Sequence, residues 1–406
     1  MKKNLLMAWR NLWRNKRRTI ITIASVFFGV LLSTLMSSMQ EGSYSSMIDN
    51  IVHIYSGYIQ VHHEDYWENK TINNSFIPSD SLLSGIKKVD AIMDMAPRLE
   101  SFGLASSEEI TKGSIVIGID PEAENGITGL KKWLNQGEYL RPGDPGILLS
   151  SELARFLRLG VGDTLVIIGQ GYHGISAAGK FPVRGILNLA NPELNRQTIY
   201  MDLALSQEFY TATGLVTALV LMVDDPYDIP KVMRQLRTVI SAPYKAMTWD
   251  EMQPEILQMI EADRAGGIIM KLILYILIGF GIFGTVMMMI VERHREMGVM
   301  IAIGMRRFKL ASVLLFETLY IGLIGVIAGF IGSIPVIAFF YHNPVRLTGK
   351  TGQAMLDMGF EPYLYFSWMY RVFSEQVFIV FILTMVVSLY PIYSAKRLKV
   401  HNALRG

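Results

Sequence analysis

Two glycine-containing stretches of this sequence resemble nucleotide-binding motifs. Gly169, Gly171 and Gly174 form a G-x-G-x-x-G pattern directly after a predicted strand. A dinucleotide site needs a helix at this point, because the N-terminus of that helix meets the pyrophosphate. A second predicted strand follows instead, so we interpret these glycines as the tip of a β-hairpin.

The second stretch, Gly349-Lys350-Thr351, resembles the end of a phosphate-binding P-loop. That motif requires a glycine five residues before Gly349, and this chain has Pro344 there. The sequence therefore predicts no site for hydrolysing a nucleotide and no cofactor in this chain.

A run of possible metal ligands, residues 62–65, has the sequence His-His-Glu-Asp. Successive side chains of a strand point to opposite faces, so this run makes a poor metal site, and we expect a solvated strand end. The chain has no cysteine, which excludes disulfides and thiolate metal sites. It also lacks G-x-S-x-G and H-E-x-x-H hydrolase signatures, and we expect neither an enzyme nor a nucleic-acid partner.

Most of the elements that could position a site are membrane spans. Hydrophobic residues make up 51% of the 406-residue chain, and only 18% of the residues are charged. A span needs roughly 20 mostly apolar residues, and four segments meet this requirement. We predict an α-helical membrane protein with four transmembrane helices and an extracytoplasmic α+β domain inserted between helices 1 and 2.

Lysine and arginine residues set the orientation of these spans. They cluster before the first span, between the second and third spans, and after the fourth span, whereas the loop between the third and fourth is poorer in them. Because cytoplasmic flanks retain positive charge, we expect both termini inside and the large domain outside the cytoplasmic membrane of a bacterium. The predicted segments are an amphipathic cytoplasmic helix (1–18), transmembrane helix 1 and a stalk (19–41), the outer α+β domain and second stalk (42–266), transmembrane helix 2 (267–291), a cytoplasmic loop (292–309), transmembrane helix 3 (310–340), an outer loop (341–374), transmembrane helix 4 (375–394) and a cytoplasmic tail (395–406).

Within the outer domain, predicted strands alternate with short helices. Ser150 is expected to cap a helix over 151–158. Trp249 is predicted to end a strand, and Asp250 to cap a helix over 251–264 that continues into the second span.

The cytoplasmic loop places charged residues first, then an apolar run, then Gly304 and a basic cluster. A helix here could dock into a groove on a cytoplasmic partner, or the loop could simply anchor two spans. This loop resembles the E-R-x-R-E-I/M-G-x-L-R-A-I/L-G signature of the lipoprotein-releasing and macrolide-exporting ABC permeases. The resemblance implies that the loop is the coupling helix on the ATPase subunit, formed by Glu292, Arg293, Arg295, Glu296, Met297, Gly298, Met300 and Gly304.

The resemblance extends over nearly the whole chain, including the segments AWRNLWRNKRRTIIT, SGYIQVH, FPVRGIL and TWDEMQPEI and the tail YPIYSAKRLKVHNALRG. It also has departures: Ile301 replaces a usual arginine, and Val400 and Asn402 replace a usual proline and glutamate. The strand SGYIQVH and the hairpin over Gly169–Lys180 look closer to the lipoprotein-releasing branch. One subunit of that branch grips a periplasmic chaperone through a longer hairpin, whereas this one is short and lacks proline.

The resemblance implies a set of partners. These are a dimer of cytoplasmic ABC ATPase subunits that binds ATP and Mg, a second permease copy or paralogue, a periplasmic lipoprotein chaperone, and a lipoprotein or lipid-like cargo. Three alternatives stay open: export of small molecules or peptides, as in the macrolide branch; control of a cell-wall hydrolase without transport, as in the cell-division relative; and a membrane-bound sensor.

Two copies of the chain would form a shallow apolar cavity between their first and second spans. Its predicted walls suit acyl chains and consist of Val26, Phe27, Val30, Leu31, Ile273, Ile276, Leu277 and Phe280. The alternative is that these residues face lipid or one another. In the third span, Glu317 is expected to pair with Arg306 or Arg307 or to serve transport, and Gly325 and Gly329 should allow close helix packing.

Overall fold

The computed structural model describes residues 2–14, 16–108, 110–357 and 361–397, which divide into two compact units. The membrane unit comprises Met1–Ser46, Met259–Arg346 and Tyr363–Gly406. The outer domain comprises Met47–Gln258 and Leu347–Pro362. The end of the predicted tail, including Val400 and Asn402, lies outside the described residues.

The helices occur in both units. In chain order they are α1 (Lys2–Arg14), α2 (Lys16–Ile51), α3 (Asp80–Lys87), α4 (Pro121–Thr128), α5 (Ser151–Leu157), α6 (Pro192–Gln197), α7 (Leu203–Phe209), α8 (Ile229–Val239), α9 (Trp249–Met252), α10 (Pro254–Glu292), α11 (His294–Ala302), α12 (Arg307–His342), α13 (Gly349–Asp357), α14 (Tyr370–Val387) and α15 (Leu389–Arg397). A π-helical turn, Val52–Ser56, follows α2. Helix α13 lies in the segment that was predicted as an outer loop.

The strands are β1 (Ile59–His63), β2 (Ile92–Ser106), β3 (Thr111–Ile119), β4 (Leu134–Gly137), β5 (Ile147–Ser150), β6 (Thr164–Gln170), β7 (Ser176–Leu187), β8 (Thr198–Asp202), β9 (Ala218–Val223), β10 (Tyr244–Thr248), β11 (Val345–Arg346) and β12 (Tyr363–Leu364). Within the described chain, β1 to β10 form one mixed sheet in the order β10-β1-β9-β2-β3-β8-β5-β7-β4, with β6 paired to β2 and β7. Most neighbours are antiparallel, whereas β3–β8 and β5–β7 are parallel.

The described residues contain four helices long and apolar enough to span a membrane, as predicted: Thr19–Ile51, Pro254–Glu292, Arg307–His342 and Tyr370–Ala395. Each observed helix is longer than the segment predicted for it. The α+β sheet domain between the first and second of these helices confirms the predicted fold class.

Glycines of α12 allow α2 to approach it closely, as the sequence predicted for Gly325 and Gly329. A Cβ atom added at Gly325 would lie 2.6 Å from the Cβ of Val26 in α2. One added at Gly329 would lie 2.7 Å from the Cβ of Val30. These separations are too short for two carbon atoms, so glycine is required at both positions for this packing.

In the outer domain, the largest core lies where the sheet packs against α5 and α7. Ser150 stands at the N-terminus of α5, as predicted, but its hydroxyl accepts a bond from the backbone N–H of Thr198 instead of capping the helix. Strand β10 ends one residue before Trp249, and the capping residue of α9 is Thr248, which forms a capping box with Glu251. The prediction of Asp250 as the cap was therefore wrong.

Candidate functional site

The short connection between α10 and α12 carries the predicted coupling residues, and two backbone features shape it. Helix α10 ends at Glu292, and Arg293, with φ −94° and ψ 6°, separates it from α11. Gly304 has φ +103°, a conformation that favours glycine, and it lets the chain turn before α12 begins. The predicted single helix from Glu292 onward is therefore a helix end followed by a separate short helix.

Arg293 lies inside the membrane unit, although the prediction placed it against the ATPase. Only 5% of its surface is exposed, and its Nη1 donates to both carboxylate oxygens of Glu317, at 2.6 and 2.9 Å. Its Nη2 donates to the backbone carbonyl of Asn11 in α1, at 3.3 Å. Arg293 thus joins the start of α11 to α12 and to α1.

The prediction that Glu317 would pair with Arg306 or Arg307 missed this partner. A buried carboxylate in a span requires a nearby cation, and Arg293 supplies one from the adjoining turn. The choice between arginines depends on which side chain the turn directs inward, and sequence spacing does not specify that.

Two further predicted coupling residues are also buried. Met297 is 1% exposed and belongs to the same apolar cluster as Leu12 and Leu314. Gly298 is buried beside it. Met297 packs α11 against α1 and α12. The ATPase contact predicted for Arg293, Met297 and Gly298 stays a prediction, and in this structure all three residues are buried within the membrane unit.

The remaining predicted coupling residues stay accessible. Glu292, Arg295, Glu296 and Gly304 are exposed, and Met300 is half-buried. Glu296 forms an ion pair with Arg14 of α1, in which both side chains are about half exposed. Such exposed pairs contribute little to stability, so the Glu296 carboxylate can exchange this partner for another.

Sequence reasoning missed an apolar part of the same surface. Val299 is 39% exposed, Ile303 is 82% exposed, and Phe308 is 77% exposed. The i, i+4 spacing of Val299 and Ile303 was a usable signal, because residues four apart share one helix face. We define the α11 surface as Glu292, Arg295, Glu296, Val299, Ile303 and Phe308.

The predicted apolar wall divides between two environments. Val26 and Val30 are fully buried in the packing of α2 against α12, and the partly buried Phe27 lies against Gly332 of α12. The cavity predicted between two copies stays a prediction. Leu31 is half-buried. The four predicted residues of α10 are 50–71% exposed and form what we call the α10 wall: Ile273, Ile276, Leu277 and Phe280.

The outer domain holds a buried charge cluster that was not predicted. Arg98 and Glu124 are each 1% exposed, and the guanidinium donates from Nε and Nη2 to the two carboxylate oxygens at 2.8 and 2.6 Å. Arg98 also donates to the carbonyl of Tyr55, whose hydroxyl donates to Glu100 at 2.7 Å. Burial opposes the charge of Arg98, but the two carboxylates more than offset it, and the pKa of Arg98 stands above its usual value.

His62 contradicts the prediction of a solvated strand end. It is fully buried and stacks on Trp67, and burial lowers its pKa. Among the described residues, no group of three or more potential ligands could hold a metal ion.

The prediction of a glycine-rich hairpin around Gly169–Lys180 is confirmed, since β6 and β7 pair antiparallel and a short turn over Tyr172–Gly174 joins them.

Comparison with known families gives two matches. Residues 19–239, more than half of the chain, match the MacB-like periplasmic core domain. Residues 268–400 match the FtsX-like permease C-terminal region. The first match covers the first span and most of the outer domain, and the second match covers the later spans.

Individual relatives are more distant. The transmembrane protein LolC of the lipoprotein-releasing system, from two strains of Xylella fastidiosa, is 23% identical over 323 residues, which cover 76% of this chain and 77% of the relative. The periplasmic region of MacB from Actinobacillus actinomycetemcomitans aligns with a TM-score of 0.37 and 14% identity, covering 52% of this chain and 96% of that one. The extracellular domain of the transporter YknZ from Gram-positive bacteria gives a TM-score of 0.34 and 14% identity, covering 47% and 100%.

Proposed function

Because this chain belongs to the ABC transporter permeases that join a MacB-like periplasmic core domain to an FtsX-like C-terminal region, we propose that it couples ATP hydrolysis in a separate cytoplasmic subunit to work in the periplasm. The work we propose is the extraction of lipoproteins from the outer leaflet of the inner membrane, for transfer to the outer membrane. Both termini and the α11 surface would then be cytoplasmic.

The α11 surface supports the coupling step. It combines carboxylates with exposed apolar side chains. The buried Arg293–Glu317 ion pair joins the start of α11 to α12. A partner that pressed on this surface would move α12 with it, because a buried, hydrogen-bonded ion pair resists separation. ATP and Mg would be held by that ATPase partner, and a second permease copy or paralogue would complete the complex.

We base the proposed choice of cargo on the exposure of the α10 wall. Its four side chains are large and apolar, and each is at least half exposed. Burying an acyl methylene against such a wall contributes about 0.8 kcal/mol, whereas a hydrophilic solute would find no hydrogen-bond partner on it. The similarity to LolC, named for the lipoprotein-releasing system, supports lipoprotein over other acylated cargo.

Photo-crosslinking in inner membranes tests this proposal. A crosslinker at Leu277 or Phe280 should capture triacylated lipoprotein, and ATP with the ATPase subunit should reduce the yield. A crosslinker at Ile331 of α12, which is 60% exposed, is the matched control and should capture only phospholipid. Capture of phospholipid alone at all three positions, with normal lipoprotein traffic after depletion of the protein, would move the function to small-molecule export or to control of a wall hydrolase.

A further inference from the structure

A groove that shares Arg295, Glu296 and Val299 with the α11 surface has features of a binding site that an ATPase contact alone does not explain. Its volume is about 530 Å³, and it lies between α1, α11 and the first turns of α12. Its polar lining includes Asn11, Arg14, Arg293, Arg295 and Glu296.

The charges of this groove favour an anion. Arg293 forms an ion pair with Glu317, and Arg14 forms one with Glu296, so the net charge of each pair is close to zero. Arg295 is exposed, and no ion pair of Arg295 is found within the described part of the chain. One positive charge therefore remains uncompensated along this lining.

A buried donor also lacks an acceptor here. The Nε–H of Arg293 is buried and has no hydrogen-bond partner among the described residues. An unsatisfied donor on a charged group carries a desolvation cost, and an anionic oxygen that reached it would remove that cost. This donor and the Arg295 charge are independent observations that indicate the same kind of ligand.

The rest of the lining is apolar and adaptable. It includes Met7, Met297, Met300 and Met305, together with Leu310, Val313 and Leu314 from the first turns of a membrane-spanning helix. Methionine side chains adjust to irregular aliphatic shapes. The groove thus joins a cationic part to an apolar part that continues onto the surface of α12.

We propose that this groove binds one anionic glycerophospholipid, with the phosphodiester against Arg293 and Arg295 and the start of an acyl chain along the methionines. Basic pockets at the cytoplasmic ends of membrane helices are suited to such headgroups. The proposal rests on the proposed function only for assigning the lipid to the cytoplasmic leaflet. A lipid held here would brace α11 against α1 beside the surface on which the ATPase acts.

Lipid retention by the purified full-length chain tests the site. The chain is released from mixed phosphatidylglycerol and phosphatidylcholine nanodiscs, and bound lipid is counted by native mass spectrometry. We expect one retained phosphatidylglycerol, and about fivefold less retention in Arg295→Gln, since one basic residue near a lipid surface contributes about that factor. Lys309→Gln, an exposed neighbour outside the groove, is the matched control and should retain lipid as the parent chain does.

Three outcomes would overturn the proposal. Equal losses in Arg295→Gln and Lys309→Gln would indicate general charge attraction, and displacement of the lipid by excess inorganic phosphate would indicate a simple anion site. In membranes that contain both subunits, a crosslinker at Met300 that captured only the ATPase would assign the groove to that protein. None of these readouts involves the cargo, so the α10 crosslinks can fail or succeed independently.

Discussion

Arg98 and Glu124 form a fully buried ion pair in the outer domain, so the removal of one partner should be costly. Glu124→Gln leaves the guanidinium charge in the core without its bidentate acceptor, and Glu100, at 3.8 Å, compensates only in part. We expect a loss of about 3–5 kcal/mol in the free energy of unfolding of this domain. Urea-dependent proteolysis of the full-length chain measures this change.

The matched control for this substitution is Glu138→Gln. Glu138 forms a 3.4 Å ion pair with Arg141 in the same domain, and both side chains are more than three-quarters exposed. Its loss should change stability by less than about 1 kcal/mol. If Glu124→Gln and Glu138→Gln unfolded at the same urea concentration, the buried pair would not stabilise the domain.

Single residues also show where sequence reasoning reaches its limit. The signature around residue 293 identified the coupling segment, yet Arg293, Met297 and Gly298 face inward, while Ile303 faces outward. Local patterns give the order of residues along the helix. They do not give the position of the neighbouring helices, which determines the face that becomes buried.

At the scale of one element, α11 should be the contact for the ATPase. Glu292→Lys combined with Glu296→Lys reverses the two negative charges of the α11 surface, and we expect at least tenfold weaker retention of the ATPase subunit, equivalent to about 1.4 kcal/mol. Ile303→Asp should weaken retention in the same direction because it places a charge on the exposed apolar part. Co-purification and stimulated ATPase activity provide the measurement.

The control for charge reversal lies at the opposite end of α10. Glu255→Lys with Glu261→Lys makes the same change in net charge at two exposed positions. This control should leave ATPase retention unaltered, and all variants should insert into the membrane as the parent does. Full retention by the Glu292 and Glu296 double variant would argue against α11 as the coupling helix.

For the whole molecule, the positive-inside pattern predicts which segments face the periplasm. The chain has no cysteine, so single cysteines can report exposure without a background. In intact spheroplasts, Thr213→Cys in the outer domain should react with an impermeant maleimide, and Lys309→Cys before α12 should react only after permeabilisation. Both positions are exposed, so accessibility within the fold does not limit labelling. Reversed labelling would contradict the orientation.

The sequence by itself determined the membrane character of this protein, its four spans, the inserted α+β domain and its family. These features follow from runs of apolar residues, from charge placement and from local motifs, all of which are properties of neighbouring residues in the chain. The glycine spacing in α12 belongs to this group, since it indicated close packing before the partner helix was known.

Only the tertiary structure decided which residues are available for function. It placed Val26 and Val30 inside the α2–α12 packing and left the α10 wall exposed. It also brought together pairs that are far apart in the chain, such as Arg98 with Glu124 and Arg293 with Glu317. A buried charge needs a partner from whichever element packs against it, and that choice depends on long-range packing that sequence spacing does not encode.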